Sequence, residues 1–250
     1  MKKIIYSKIK KYPDGSQKIM VFKEGLVVHG SEGSSNGSAS EKEMQTIEEI
    51  EEERQRIINK RFREVRNKIQ DYILCNEFTH FWNLTQDEKI VGDRNCDEIA
   101  LDNLKRFLKS TRTQAKRNGV KFSYVFVPER HKSGALHFHG FTFGYPYELI
   151  DSSHKWQGKP VFNCKQWKYG FSNVTEINDK VKAANYVTKY ITKDLMAQNL
   201  GKDKKKYWCS KGLELPVIEY LEENINLEVE PDWVSPDETI EIYNIKRMEK

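Results

Sequence analysis

The pattern of apolar and polar positions changes period several times along the chain. Residues 1–30 alternate around Tyr12-Pro13-Asp14-Gly15, which predicts a small hairpin. Capping residues, charge order and apolar faces predict three helices, over residues 40–72, 95–118 and 178–199. Aromatic and β-branched runs predict strands over 78–85, 121–127, 135–143, 171–176 and 207–210. This order indicates an α+β fold, with a central, largely antiparallel sheet flanked by helices.

Composition divides the chain into three parts. Residues 30–39 are rich in glycine and serine, which is typical of a flexible linker. We therefore expect an N-terminal hairpin and linker over 1–39, a main domain over 40–215, and an acidic C-terminal tail over 216–250. Residues 144–170, rich in Pro, Gly and aromatic side chains, are expected to be irregular.

Charge is unevenly distributed. Residues 216–250 hold ten acidic and three basic residues, a net charge of −7, which leaves +12 for residues 1–215 of a chain with net charge +5. A basic body with an acidic tail favours a polyanionic partner. Composition alone favours equally that the charges only keep the protein in solution.

Targeting and cysteine signals indicate where the protein works. No apolar stretch is long enough to cross a bilayer, and Met1 to Tyr6 lacks the apolar core of a signal peptide. The four cysteines are widely scattered without a C-x-x-C pair, which indicates neither a disulfide framework nor a zinc ribbon. We expect a cytoplasmic protein with no membrane partner.

A candidate metal site lies in the strand that contains His137-Phe138-His139. Side chains alternate faces along a strand, so both imidazoles point the same way and could chelate a divalent cation. Glu129, across the hairpin, is a third ligand if the register has the right parity. Two solvated histidines are the plain alternative. A 2-His-1-carboxylate iron site ranks low, because no glutamate follows His139 closely in the strand.

The last predicted helix contains two tyrosines, each followed three residues later by a lysine. Helical spacing places Val181, Ala184, Thr188, Ile191 and Leu195 on one face, which we assign to the core. Tyr186, Lys189, Tyr190 and Lys193 fall on roughly the opposite face. Tyrosines at this spacing are more often core aromatics, but here the other face already supplies the core. Lysines that stabilise negative charge would help a phenolate to attack a phosphate.

These motifs resemble those of the HUH endonucleases, in particular the replication initiators of small phages and rolling-circle plasmids. Phe81-Trp82-Asn83-Leu84-Thr85 is similar to the first motif of that family, although Asn83 stands where a threonine is more usual. His137-Phe138-His139, with Glu129, is similar to the second motif, and 186–193 to the third, with paired tyrosines. The resemblance covers about residues 55–215 and does not include the N-terminal hairpin or the acidic tail.

The resemblance implies a rolling-circle replication initiator. A Mg²⁺ or Mn²⁺ ion, with His137, His139 and Glu129 as ligands, would polarise a DNA phosphate. Tyr186 and Tyr190 would act as alternating nucleophiles through a 5′-phosphotyrosine, with Lys189 and Lys193 stabilising charge. The implied partners are single-stranded DNA at a replication origin, a separate helicase and the polymerase of a bacterial host. A plasmid relaxase, a transposase of the same fold and a catalytically silent DNA-binding module remain alternatives.

Overall fold

The computed structural model describes residues 2–29, 46–198 and 205–246. The chain is α+β, as the sequence predicts, with two antiparallel sheets and five helices among these residues. It divides into two compact units, one made of Met1–Thr46 with Leu215–Lys250 and the other of Ile47–Glu214. The following bounds, in chain order, define the element names: β1 (Lys2–Lys11), β2 (Gln17–His29), α1 (Ile47–Cys75), β3 (His80–Leu84), α2 (Glu88–Val91), α3 (Asp97–Arg117), β4 (Ser123–Arg130), β5 (Leu136–Phe143), β6 (Ile150–Trp156), β7 (Lys159–Asn163), β8 (Ser172–Glu176), α4 (Lys180–Val187), α5 (Lys193–Ala197), β9 (Trp208–Cys209), β10 (Val217–Leu221), β11 (Trp233–Val234) and β12 (Ile240–Ile245).

The smaller unit is a five-stranded antiparallel sheet in the order β10-β1-β2-β12-β11. The predicted hairpin forms its centre, and the predicted linker over 30–39 lies outside the described residues. Residues 216–250, expected as an acidic tail, instead contribute three strands that pair with this hairpin or with one another. Ile9, Ile19, Val21 and Tyr243 form its buried core.

Ion pairs explain why the acidic segment joins a lysine-rich hairpin. Glu222 and Glu219 of the C-terminal segment lie 2.8 and 2.7 Å from Lys3 and Lys11. Glu241 lies 2.8 Å from Lys23. These pairs are exposed, so each contributes at most about 1 kcal/mol. They fix which acids neighbour which lysines, while strand pairing and the apolar core stabilise the sheet.

The larger unit is built on a seven-stranded antiparallel sheet in the order β6-β7-β8-β3-β5-β4-β9. One face carries Trp82, Leu84 and Phe138, which are fully buried under α3 and other core residues. Gly140 is needed on this face, because a Cβ there would lie 2.2 Å from the Phe126 ring. The opposite face carries Phe81, Asn83 and the two histidines of β5, and α4 lies beside it.

The predicted C-terminal helix over 178–199 is interrupted. It forms α4, then a turn over 188–190, then α5. Thr188 caps α4, and the Thr192 hydroxyl accepts a hydrogen bond from the Leu195 backbone N–H at 3.1 Å, which starts α5 afresh. Threonine side chains compete in this way with a continuous helix. Val181 is 55 % exposed and does not join the predicted buried face, whereas Ala184, Thr188, Ile191 and Leu195 do.

Other boundaries differ from the sequence-based expectation in smaller ways. Residues 144–170, expected to be irregular, contain the hairpin of β6 and β7. The second predicted helix begins at Asp97 after Cys96, so Asn95 is not its N-cap. Ser40, the predicted cap of the first helix, lies outside the described residues. Within the described ranges, no helix combines the length and apolar character needed to span a membrane.

Candidate active site

Strand register brings the predicted metal ligands onto one face of the larger sheet. Glu129 of β4 lies directly opposite His137 of β5, and His139 follows two residues later. Residues opposite each other in an antiparallel pair share a face, as do residues two apart in a strand. The parity that the sequence left open is therefore the one that groups all three side chains.

Within this group, Glu129 and His139 are in direct contact. The His139 Nε2 and Glu129 Oε2 atoms lie 2.7 Å apart, a hydrogen-bond distance. His139 is only 4 % exposed, whereas the Glu129 side chain is 32 % exposed. The His137 ring stacks on His131 with the centroids 4.8 Å apart. Burial lowers the pKa of His137 below its ordinary value, and the nearby His131 and His139 lower it further.

The chemistry of these side chains suits a divalent cation. Among the described residues, no group of three or more His, Cys, Asp or Glu side chains is already arranged around a metal position. Two ligands about 2.1 Å from an octahedral ion lie about 3 Å apart, so Glu129 and His139 would separate by a few tenths of an ångström. The His139 Nδ1 atom is buried without a hydrogen-bond partner in the described part of the chain. Two imidazoles and a carboxylate on one face are suitable ligands for Mn²⁺ or Mg²⁺.

Tyr186 lies on α4 beside these ligands. Asp179 caps this helix by accepting a hydrogen bond from the Lys182 N–H, and buried Ala184 and Val187 anchor it to the core. The Tyr186 ring meets Phe81 edge-on at 5.6 Å, and the Lys189 ammonium lies 5.7 Å from the Tyr186 centroid. A positive charge is therefore held close to this phenol.

Tyr190 lies beyond the end of α4, in the turn that follows. Its ring stacks on His139 with 3.7 Å between centroids and 9° between planes, and it meets Tyr186 edge-on at 5.3 Å. Burial raises the pKa of Tyr190 above its ordinary value, and the Tyr186 hydroxyl and Glu129 raise it further. The two tyrosines are neighbours, as predicted, but they have different surroundings.

The two lysines of the predicted set are not equivalent. Lys189 follows Tyr186 by three residues and lies over its ring. Lys193 is exposed at the first residue of α5, after the interruption, so helical spacing does not relate it to Tyr190.

Several neighbours of this site were not identified from the sequence. Arg94 is close enough to His137 for its charge to lower the pKa of that imidazole. Trp156, on the unpredicted hairpin of β6 and β7, packs against Tyr186 with 5.9 Å between centroids. A cleft of about 480 Å³ lies next to Tyr186 and is bounded by β3, β8 and this hairpin. The alternation of Phe81 and Asn83 in β3 was the available signal, because both face this cleft.

Comparison with known protein families gives one match. Residues 79–195 match the model of a family described as replication-associated protein ORF2, a family of rolling-circle replication initiators. The matched segment extends from just before β3 into α5 and includes Glu129, both histidines of β5 and both tyrosines. No curated protein and no solved structure gives a match. The family match supports a role associated with DNA replication.

Proposed function

We propose that this protein initiates rolling-circle DNA replication by nicking and rejoining single-stranded DNA through a tyrosine. The observation that carries the proposal is the contact between the tyrosines and the imidazole–carboxylate group. Tyr190 stacks on His139, which is hydrogen-bonded to Glu129, and Tyr186 lies next to Tyr190. The family match covers the same residues and supports the same function.

Glu129, His137 and His139 are the proposed ligands of a Mg²⁺ or Mn²⁺ ion. Bound there, the ion would withdraw charge from a phosphate oxygen of the DNA. The stacked rings of Phe81, His139 and Tyr190 fix the orientation of the central imidazole. Lys189 would stabilise the negative charge of the Tyr186 phenolate, because its ammonium lies over that ring.

The proposed reaction exchanges one phosphoester bond for another. The tyrosine oxygen attacks the phosphorus, the bond from phosphorus to the 3′ oxygen breaks, and the phenol proton ends on that oxygen by way of solvent. The products are a 5′-phosphotyrosine and a free 3′-OH, which can prime synthesis or attack the phosphotyrosine to rejoin the strand. Because the number of phosphoester bonds is unchanged, the step needs no nucleotide hydrolysis.

The test is the formation of a covalent adduct. A random-sequence pool of single-stranded DNA labelled at its 3′ end, incubated with Mn²⁺, should give labelled protein on a denaturing gel. EDTA should abolish the labelled band, and peptide mapping should place the DNA on Tyr186 or Tyr190. Binding without any adduct or nick would favour a catalytically silent DNA-binding module. An adduct on a tyrosine outside this site would show that the site is misassigned.

A further inference from the structure

The cleft beside Tyr186 has features that the nicking reaction itself does not require. Its volume, about 480 Å³, falls within the range of roughly 300–1,000 Å³ typical of small-molecule sites. Strands β3 and β8 form its floor, and the hairpin of β6 and β7 forms one wall. The lining residues are Phe81, Asn83, Ser152, His154, Trp156, Val161, Asn163, Phe171, Asn173, Thr175 and Tyr186.

Aromatic side chains dominate the apolar part of this lining. Phe171 is 67 % exposed and Trp156 is 42 % exposed, although both are large apolar residues. Phe81 and Tyr186 lie between them and the metal ligands. Exposed aromatic rings around one concave surface offer faces on which a planar ligand can stack.

The polar part of the lining selects against a charged ligand. No described residue of the lining carries a fixed charge, which disfavours a phosphate as the group held inside. Three asparagines, Asn83, Asn163 and Asn173, offer amide donors and acceptors instead. The Asn83 Oδ1 atom is buried and has no hydrogen-bond partner among the described residues. An acceptor left unpaired in this way is suited to a donor from a ligand.

We propose that the cleft holds one unpaired base of the single-stranded DNA, stacked on Trp156 and Phe171 and hydrogen-bonded at its edge by Asn83. A nucleobase is planar, uncharged and rich in donors and acceptors, which matches both parts of the lining. This inference rests on the proposed function, because it places that base next to the phosphate that Tyr186 attacks. The phosphates would remain outside the cleft, towards Lys189.

The experiment compares pentanucleotides that have bases with one that has none. The four homopentamers and an abasic pentamer share the same phosphates, and their affinities are measured in EDTA by fluorescence anisotropy. Stacking contributes roughly 1–3 kcal/mol per base, so wild-type protein should bind at least one homopentamer about 5- to 150-fold more tightly than the abasic chain. W156A and F171A should lower that ratio while binding the abasic chain as before. W233A removes a comparably exposed tryptophan from the smaller unit and should leave the ratio unchanged.

A ratio near one in the wild-type protein, or a ratio that survives both substitutions, overturns the proposal. If the variants bind the abasic chain more weakly, a wild-type photo-crosslink decides. A pentamer with 5-iodouracil should crosslink to Trp156 or Phe171, and crosslinks confined to other residues overturn the proposal. The covalent-adduct assay separates the two ideas. An adduct without base preference rejects only the base site, whereas base preference without an adduct rejects only the nicking chemistry.

Discussion

At the scale of single residues, His139 is held on several sides by its neighbours. Phe81 stacks on it with centroids 6.0 Å apart, Tyr190 stacks at 3.7 Å, and Glu129 hydrogen-bonds its Nε2 atom. Because the ring is also buried, replacing it would disturb packing as well as any metal site. His137 is half-buried and contacts fewer rings, which makes it the cleaner position at which to test metal binding.

We expect His137→Ala to lose Mn²⁺ binding and DNA cleavage while keeping affinity for single-stranded DNA. The substitution removes one of three proposed metal ligands but none of the phosphate-binding charges. Mn²⁺ binding can be measured by isothermal titration calorimetry, and cleavage by the adduct assay. A ligand loss of this kind should lower nicking by about tenfold or more.

His80→Ala is the matched control, because His80 lies one residue before Phe81 in β3 and so points to the other sheet face. It removes an imidazole without touching the site, so nicking and Mn²⁺ affinity should stay at wild-type levels. Full nicking by the His137 variant would remove His137 from the ligand set.

The paired tyrosines predict a distinct pattern of losses. If both act as nucleophiles, Tyr186→Phe and Tyr190→Phe should each still form a covalent adduct, and only the double variant should form none. The two single variants should differ in rate, because only Tyr186 has a lysine over its ring and only Tyr190 stacks on His139. Adduct yield is measured with 3′-labelled DNA, and Tyr220→Phe in the smaller unit is the control.

Alternation would be contradicted by one result in particular. If one single substitution abolishes all adduct while the other leaves repeated cleavage and joining intact, only one tyrosine is a nucleophile. The remaining tyrosine would then serve to orient His139 or to stack on DNA.

At the scale of elements, the interruption between α4 and α5 positions Tyr190. Hydrogen bonds of Lys189 and Tyr190 to the carbonyls three residues earlier tighten the end of α4 into a turn. Thr192 then caps α5. Lys206 donates hydrogen bonds to the carbonyls of Leu195 and Gln198 and holds the end of α5. The chain thereby leaves its helical path between the two tyrosines, so their neighbourhood does not depend on a continuous helix.

Thr192→Ala should lower the free energy of unfolding of the larger unit by about 1 kcal/mol, because it removes an N-cap hydrogen bond. Urea unfolding followed by tryptophan fluorescence measures this change. Thr113→Ala is the control, since Thr113 is exposed within α3 and its hydroxyl bonds only the Lys109 carbonyl of the same helix. That substitution should be neutral or slightly stabilising. Equal effects of the two substitutions would show that the Thr192 cap contributes nothing.

The sequence predicts well those elements whose burial follows a clear period. Strand β5 and helix α3 bury one regular face each, and both were located to within about two residues. The shared face of His137 and His139 follows from alternation alone. The register of Glu129 does not, because it depends on the length and geometry of the turn at residues 131–135.

The elements that the sequence did not predict lack such a period. In β6, six of seven residues are exposed, so no apolar alternation marks it as a strand. The two-residue turn that joins it to β7 has positive φ at Gln157 and Gly158, a conformation for which asparagine–glycine is the usual signal. Trp156 and one wall of the cleft were missed for this reason. Strand β10 was missed similarly, because none of its residues is buried.

At the scale of the whole molecule, charge divides between the two units. Ile47–Glu214 carries 31 basic and 22 acidic residues, a net charge of +9, and contains the candidate site. Part of this charge is already neutralised, since Arg54 and Arg56 of α1 lie within 4.0 Å of glutamates of the same helix. Lys206, one of the bases expected to contact DNA, donates to backbone carbonyls, and residues 202–204 lie outside the described ranges. Exposed bases next to the tyrosines are therefore the better candidates for phosphate contacts.

The affinity for single-stranded DNA should fall steeply as salt is added, because each phosphate contact releases a counterion and contributes about −0.7 to the slope of log K against log salt. Lys189 is exposed over Tyr186, so Lys189→Gln should make that slope shallower by about 0.7. Lys23→Gln is the control, because Lys23 lies in the smaller unit and pairs with Glu241 at 2.8 Å. Its slope should equal that of the wild type. Anisotropy titrations of a labelled oligonucleotide between about 50 and 200 mM salt measure all three slopes. A flat wild-type slope would refute binding through phosphates, and equal slopes for the two variants would remove Lys189 from the contact surface.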